Sequence, residues 1–343
     1  MDRIARRGAI WAPLRHSDGS LNYPRLMAVP SPPETGYLGQ AEISGFLASR
    51  LTRQRVKERL IEFSMFLCAL SSVAITLGIV GTLLLESWHF FANVSLLDFL
   101  TDTQWTVLFE NPRYGIMPLV AGTVVTSGVA LLVALPLGTV IAIYLSEYAN
   151  ARVREILKPI LELLSAVPTV VFGYFAFLFV TPILQSFLPN LPGFNMLSAG
   201  IVIGIMIIPY VSSLSEDAMK AVPVHIREGS YAMGATRLQT AVRVLIPSAF
   251  SGIASAYVLG FSRAVGETMV VAIAAGQQPN LTLNPMEGAA TITAYIVQVS
   301  LGDLPHGTIA YQSIFAAGLT LMVMTLVFNI AGYLLRKRFR EIY

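Results

Sequence analysis

Charge is scarce in this sequence. Asp, Glu, Lys and Arg make up 13% of 343 residues, while 55% are hydrophobic and the mean hydropathy is +0.65. A soluble domain carries roughly 25% charged residues. The uncharged runs, such as Leu163 to Ser215, exclude an ordinary cytosolic enzyme. Cysteine is nearly absent: Cys68 stands alone, which excludes an intrachain disulfide framework and any multi-cysteine metal site. Lysine occurs only at Lys57, Lys158, Lys220 and Lys337, followed by Glu, Pro, Ala and Arg. A phosphate-cradling P-loop needs Gly-Lys followed by Ser or Thr, so this chain cannot energise a process through one. The histidines, His16, His89, His225 and His306, are scattered over tail and loops and form no ligand set.

What the sequence does have is long apolar runs. Crossing a bilayer core of about 30 Å takes about 20 apolar helical residues. Glu62 and Glu86 bracket a span over Phe63–Leu85, and Arg113 and Glu147 bracket one over about Leu119–Leu145. The uncharged stretch from Leu163 to Ser215 is too long for one helix, and Pro182, Pro189, Asn190, Pro192, Gly193 and Asn195 mark a turn within it. That predicts a hairpin of two spans, Pro159–Thr181 and Leu197–Leu214. A fifth span over Ser251–Gly276 contains Arg263 and Glu267, and a sixth, Thr308–Leu335, stops at Arg336-Lys337-Arg338. The expected fold class is an all-α integral membrane protein with six transmembrane helices. Pro136, Pro168 and Pro209 fall within predicted spans and can kink them, as packing features or as hinges lining a pathway.

Basic residues in short loops favour the cytoplasmic side. Of the 23 Lys and Arg residues, 21 fall on one side of this topology, Arg113 falls on the other and Arg263 lies within a span. Both termini are therefore expected in the cytoplasm of a multi-pass plasma-membrane protein. The basic pI of about 9.0 reflects topology, not a nucleic-acid partner. Met1-Asp-Arg-Ile-Ala-Arg-Arg begins like a signal-peptide n-region, but no apolar h-region follows. Residues 1–49, rich in Pro and Gly, read as a mobile cytoplasmic tail, and a basic amphipathic helix over Ser49–Glu62 leads into the first span. Residues 50–343 form the transmembrane domain.

The loop between spans four and five, residues 215–248, is the most informative stretch. Pro223 can open a short helix through His225–Met233, and Gly234 can take the left-handed conformation that ends it. Thr236-Arg-Leu-Gln239 reads as a capping box opening a second helix. On that helix Leu238, Val242 and Leu245 share one face, and Pro247 ends it. Such a helix–turn–helix with an apolar face fits either an element resting on lipid or a docking element for a soluble partner. Glu228-Gly229-Ser230, Gly234 and Val244-Leu-Ile246-Pro247 resemble the EAA motif of ABC-importer permeases, with every spacing matched. Gly229 and Ser230 replace two alanines and Val244 an isoleucine. The resemblance implies a type I (MetI-like) permease architecture, in which the first short helix is a coupling helix fitting a cleft in a cytoplasmic ATPase. It puts Glu228, Gly229, Ser230 and Gly234 at the ATPase contact.

In span five a charge at mid-bilayer costs about 2.5–3.5 kcal/mol on insertion scales. Arg263 and Glu267, four residues apart, would share a helix face and neutralise each other. Their role is either an internal salt bridge or, for an Arg facing a polar cavity, a ligand for an oxyanion such as phosphate. Small residues recur at every fourth place, from Gly252 through Ala256, Gly260, Ala264, Thr268 and Ala272 to Gly276, as a helix-packing seam requires.

The stretch Gly260-Phe-Ser-Arg263-Ala-Val-Gly266-Glu267-Thr268-Met269 is similar to the PstC-type permeases of phosphate ABC importers. Leu161–Gly173 and Ile205–Tyr210 look alike too, and the likeness runs from about Glu58 to Arg340. It implies phosphate movement by alternating access, and the residues expected on the substrate pathway are Arg263 as an electrostatic waypoint for the anion, Glu267 orienting it, and Thr268. It also implies a heterodimer with a PstA-like permease, whose usual Glu-Thr-Ala-Pro differs from Glu267-Thr268-Met269-Val270. The further partners it implies are a PstB-like ATPase dimer that binds the ATP and Mg²⁺, and a PstS-like extracytoplasmic phosphate-binding protein. The chain itself would be no enzyme and would hold no cofactor. Three alternatives stay open: a permease for sulfate, molybdate or phosphonate; a gradient-driven transporter using Arg263–Glu267 as a proton-linked pair; and a non-transporting scaffold.

Overall fold

The computed structural model describes residues 36–107, 111–302, 305 and 307–338, with side chains from residue 57 onward. Of the expected tail over residues 1–49, residues 1–35 lie outside the described residues, and residues 36–49 belong to a helix. Apart from one antiparallel bridge between Trp105 and Tyr114, the regular structure among the described residues is helical. Contacts divide the chain into Met1–Ala74 and Ile75–Tyr343. Helix α1, Gly36–Asn93, starts earlier than the expected entry helix, and its apolar part spans Lys57–Asn93. A short α2 follows, Leu96–Thr101, whose N-terminal amide of Leu97 donates to the Ser95 hydroxyl.

The second span is α3, Met117–Ile143, prolonged by a π-helical turn over Tyr144–Tyr148. Next comes α4, Ala151–Ala166, capped by Asn150, whose side-chain oxygen accepts from the Val153 amide. The third span departs from expectation. Instead of a helix over Pro159–Thr181, the chain breaks at Val167-Pro168, and the span is α5, Thr169–Phe175, a π-turn over Ala176–Val180, and α6, Thr181–Phe187. The physical reason is Pro168, whose extended backbone separates the amphipathic α4 from the apolar run. Pro136 and Pro209, by contrast, lie within continuous helices.

Helix α7, Met196–Lys220, is the most enclosed span, 67% buried in its apolar window against 0% for α1. It packs along α3 because small residues let the backbones approach. A Cβ at Gly204 would lie 2.7 Å from the Ala130 carbonyl oxygen and 2.8 Å from Val133 Cβ. Ala130, Ala134, Ala199, Val202, Ile203, Met206, Ile207 and Val211 form the core between them. Because α7 continues to Lys220, the first residues of the predicted loop belong to this helix.

After α7 come α8, Val224–Ala232; α9, Arg237–Thr240; a π-turn over Ala241–Leu245; and α10, Ile246–Ser248. The chain bends by 77° into α11, Phe250–Val265. At 16 residues α11 is about 24 Å long, short of a bilayer core. The predicted continuous fifth span is broken at Gly266–Thr268, and a second segment with a π-turn over Val271–Ala275 completes its length. In the region expected to be a plain outer loop lies α12, Ile292–Ser300, capped by Thr291, and the last span is α13, Ile309–Arg338. Among the described residues five helices are long and apolar enough to cross a membrane, or six if the bent pair Arg237–Ser248 and Phe250–Val265 counts as one span.

Candidate functional site

The α8–α10 loop is built by local signals. Pro223 is the N-cap of α8, one place before the position expected for it. Gly234 takes φ +83°, the left-handed region that suits glycine. The capping box forms: the Gln239 amide donates to Thr236 Oγ1 at 3.3 Å, and the Thr236 amide donates to Gln239 Oε1 at 2.9 Å. Glu228, Gly229 and Gly234 are exposed, and nothing lies within 4 Å of a Cβ built at Gly229 or Gly234, so a partner could approach the backbone there. Ser230 is tied inward instead, 2.9 Å from Thr240 Oγ1. The predicted face of Leu238, Val242 and Leu245 does not survive. Leu245 is fully buried with Met219 and Ile253, whereas Leu238 and Val242 are exposed. The π-turn over Ala241–Leu245 adds a residue to the turn and rotates the register between them.

The charged pair of span five is also rearranged. Arg263 and Glu267 form no ion pair, because the helix that would have set them one turn apart ends at Val265. The Arg263 guanidinium sits 4.2 Å over the Tyr210 ring, and its buried Nε has no hydrogen-bond partner. The Glu267 side chain is buried and accepts weakly from the Val270 amide at 3.4 Å, a cap for the segment that restarts beyond the break. Thr268 Oγ1 donates to the Gly266 carbonyl at 3.2 Å. Broken backbone at membrane depth must be satisfied by protein or line a cavity. Thr293 Oγ1 donates to the Glu267 carbonyl at 2.6 Å, and the Ile292 amide donates to Thr123 Oγ1 at 3.0 Å, so α12 and α3 pin the break. The seam of small residues serves packing as far as Ala264: a Cβ at Gly260 would touch Val211 and Ile207 of α7. Beyond Gly266 its four-residue period loses meaning.

Two buried carboxylates went unread in the sequence. Glu216 is fully buried on α7 and pairs with Arg154 at 3.3 Å, Lys158 at 3.5 Å and Lys220. Partial burial lowers the Lys158 ammonium, but the Asp217 hydrogen bond and the charges of Glu216 and Asp217 outweigh it and hold its pKa above the usual lysine value. Glu147, in the π-turn after α3, accepts from the Tyr231 hydroxyl at 2.8 Å and pairs with Arg227 at 3.2 Å. Burial, then hydrogen bonding to Glu147, raises the Tyr231 phenol. The i,i+4 spacing of Glu216 and Lys220 was the available signal; nothing local announced Glu147. A cavity of about 270 Å³ opens beside these groups, lined by Lys158, Glu162, Ser165, Tyr210, Ser213 and Glu216 among others.

A multi-span helical bundle with a broken span carrying a half-buried arginine, and a two-helix loop presenting bare backbone, fits a membrane transport permease. The family model for the binding-protein-dependent transport system inner membrane component matches residues 134–341, and the chain belongs to that family. It is 36% identical over 288 residues to the probable ABC transporter permease protein YqgH of Bacillus subtilis, covering 82% of this chain and 91% of that one. It is 31% identical over 283 residues to the phosphate transport system permease protein PstC of Mesorhizobium japonicum, covering 76% and 84%. Among solved structures, a bacterial alginate ABC transporter in complex with an alginate pentasaccharide-bound periplasmic protein shares the fold at TM-score 0.58 and 18% identity, over 83% of this chain and 96% of that chain. The inward-facing MetNI methionine ABC transporter does so at TM-score 0.50 and 19% identity, over 66% and 95%. The protein is thus a multi-pass ABC importer permease subunit of the type I, MetI-like architecture, a transporter component.

Proposed function

We propose that this permease carries inorganic phosphate inward, paired with a second, PstA-like permease. The observation that carries the reading is Arg263, a cation within a span whose partner is not Glu267 and whose buried Nε faces no acceptor. An arginine fork in a low-dielectric site suits a tetrahedral oxyanion. The family supports a binding-protein-dependent importer permease, and the likeness to permeases named for phosphate supports phosphate over sulfate, molybdate or phosphonate. Arg263 is a waypoint for the anion, Glu267 holds the broken backbone around it, and Thr268 borders the same break.

In this reading both termini are cytoplasmic, consistent with the basic Arg336-Lys337-Arg338 end of α13. A PstS-like binding protein delivers the anion on the opposite side. A PstB-like ATPase dimer binds ATP and Mg²⁺ and grips α8 at Glu228 and Gly229 and the turn at Gly234, with Ser230 holding α8 to Thr240 behind that contact. ATP-driven closure then switches the permease pair between outward- and inward-facing states. Radiolabelled phosphate uptake into vesicles reconstituted with all four subunits tests this. Uptake that requires ATP and resists competition by sulfate, molybdate and phosphonate supports it. Uptake that follows an ion gradient without ATP, or that another oxyanion suppresses fully, overturns it.

A further inference from the structure

Two polar contacts of α8 converge on one buried group that the docking reading leaves unused. Arg227 and Tyr231 lie four residues apart, on one face of that helix. Both reach Glu147, whose side chain is only 2% exposed, through an ion pair at 3.2 Å and a hydrogen bond from the Tyr231 hydroxyl at 2.8 Å. Glu147 does not belong to the loop. It sits in the π-helical turn that ends the second span, 84 residues before Tyr231 in the chain.

That turn is also fastened on its other side. Arg154 of α4 donates through Nε and a terminal nitrogen to the Leu145 carbonyl, at 3.1 and 2.8 Å, and its Nε lies 3.3 Å from Glu216 of α7. The turn thus receives α8 through one carboxylate and connects, through one guanidinium, to α4 and α7. A π-turn carries an extra residue and a strained register, which is why such turns recur where a helix must yield at a functional site. A buried ion pair is a poor way to gain stability, since apolar residues of similar size do as well. Its value lies in two-sided, directional linkage. The exposed face of α8 has the bare backbone at Gly229, while the opposite side holds Glu147.

We propose that Glu147 is the positioning residue that transmits displacement of α8 to the membrane-spanning core: Arg227 and Tyr231 grip it, and the π-turn passes the movement to α3 and, through Arg154, to α4 and α7. This rests on the reading of α8 as the element that an ATPase moves. Glu147 touches neither nucleotide nor transported anion. Removing it leaves docking and ATP hydrolysis in place and disconnects them from transport.

The test uses the complete four-subunit complex in proteoliposomes, comparing Glu147→Gln, Arg227→Gln, Tyr231→Phe and the swap Glu147→Arg with Arg227→Glu. Phosphate imported per ATP hydrolysed is the readout, with ATPase retention on the purified complex as the control. The expected result is a fall of about tenfold in phosphate per ATP for Glu147→Gln, with hydrolysis within twofold of the parent and the ATPase retained. Arg227→Gln and Tyr231→Phe should each give a smaller fall, and the charge swap should recover at least a third of the lost ratio. An unchanged ratio in Glu147→Gln overturns the proposal. If Glu147→Gln fails to assemble, the two α8 variants decide, since they remove only polar contacts, and unchanged ratios in both overturn it equally. A parent complex that moves no phosphate refutes the cargo reading. The transmission proposal is then judged from spin labels on α8 and α3 in a Cys68→Ser background. ATP-driven distance changes that shrink in Glu147→Gln support it, and changes equal to the parent's refute it.

Discussion

The α8–α10 loop and the broken fifth span are neighbours in sequence, and both carry charge where charge is scarce, but they are held by opposite means. The loop is made by its own residues: Gly234 turns it and Thr236 with Gln239 caps it. The span is made by others: Thr293 of α12 takes the Glu267 carbonyl, and Tyr210 of α7 takes the Arg263 guanidinium. A capping box closes within four residues, whereas a helix break in lipid persists only where neighbouring elements satisfy the exposed backbone. Substitutions in the loop should therefore act on docking and local stability, and those in the break on what crosses the membrane.

The sharpest separation comes from Arg263→Ala. Losing a charged contact of about 2 kcal/mol or more should reduce phosphate uptake at least about 30-fold, with the ATPase still retained on purification. Arg263→Lys keeps the charge but not the planar stack on Tyr210, so its uptake should fall between the two. Wild-type uptake by Arg263→Ala would remove that residue from the pathway. A step smaller, Gly234→Val forces a β-branched residue into φ +83° at a cost of about 1–2 kcal/mol. Retention of the ATPase should drop about tenfold while the oxyanion preference of the remaining uptake stays unchanged; a changed preference would break the separation between the two regions.

Smaller again is Thr236→Ala, which deletes one half of the capping box for about 1 kcal/mol. Amide exchange at Gln239 and Thr240 should quicken several-fold, with the amides of the Thr293–Glu267 region unaffected. The smallest effect concerns pH. Because the Lys158 pKa is raised on folding, its contribution is complete below the ordinary lysine value of 10.5 and is lost as pH rises through the higher folded value. Lys158→Met should therefore lower thermal stability near neutrality and lose that difference in strongly alkaline buffer. A difference that grows with alkalinity would show that Glu216 and Asp217 do not hold the ammonium.

Much of the fold was legible because lipid makes hydrophobic length decisive. Span two was predicted at Leu119–Leu145 and runs over Met117–Tyr148; span four was predicted at Leu197–Leu214 and runs over Met196–Lys220. The third span was misplaced because hydropathy cannot tell an apolar run in the bilayer from the apolar face of α4, and Pro168 rather than charge marks its start. The face of Leu238, Val242 and Leu245 was misread because a π-turn leaves no compositional mark, and 3.6-residue periodicity assumes none. The Arg263–Glu267 pair failed for the same reason, since i,i+4 reasoning requires an unbroken helix.

By itself the sequence determined that the chain is a membrane bundle, where its second and fourth spans fall to within a turn or two, how the α8–α10 loop turns, and which residues resemble an importer permease. Those properties depend on the solvent and on groups a few residues apart. Only the tertiary structure decided that Arg263 stacks on Tyr210 instead of pairing with Glu267, that Glu216 gathers three cations, and that Glu147 joins α8 to the end of α3. Apart from Glu216 with Lys220 inside α7, each joins residues from separate elements, and ionic partners so far apart in the chain are chosen by which elements pack together, a choice no local period records.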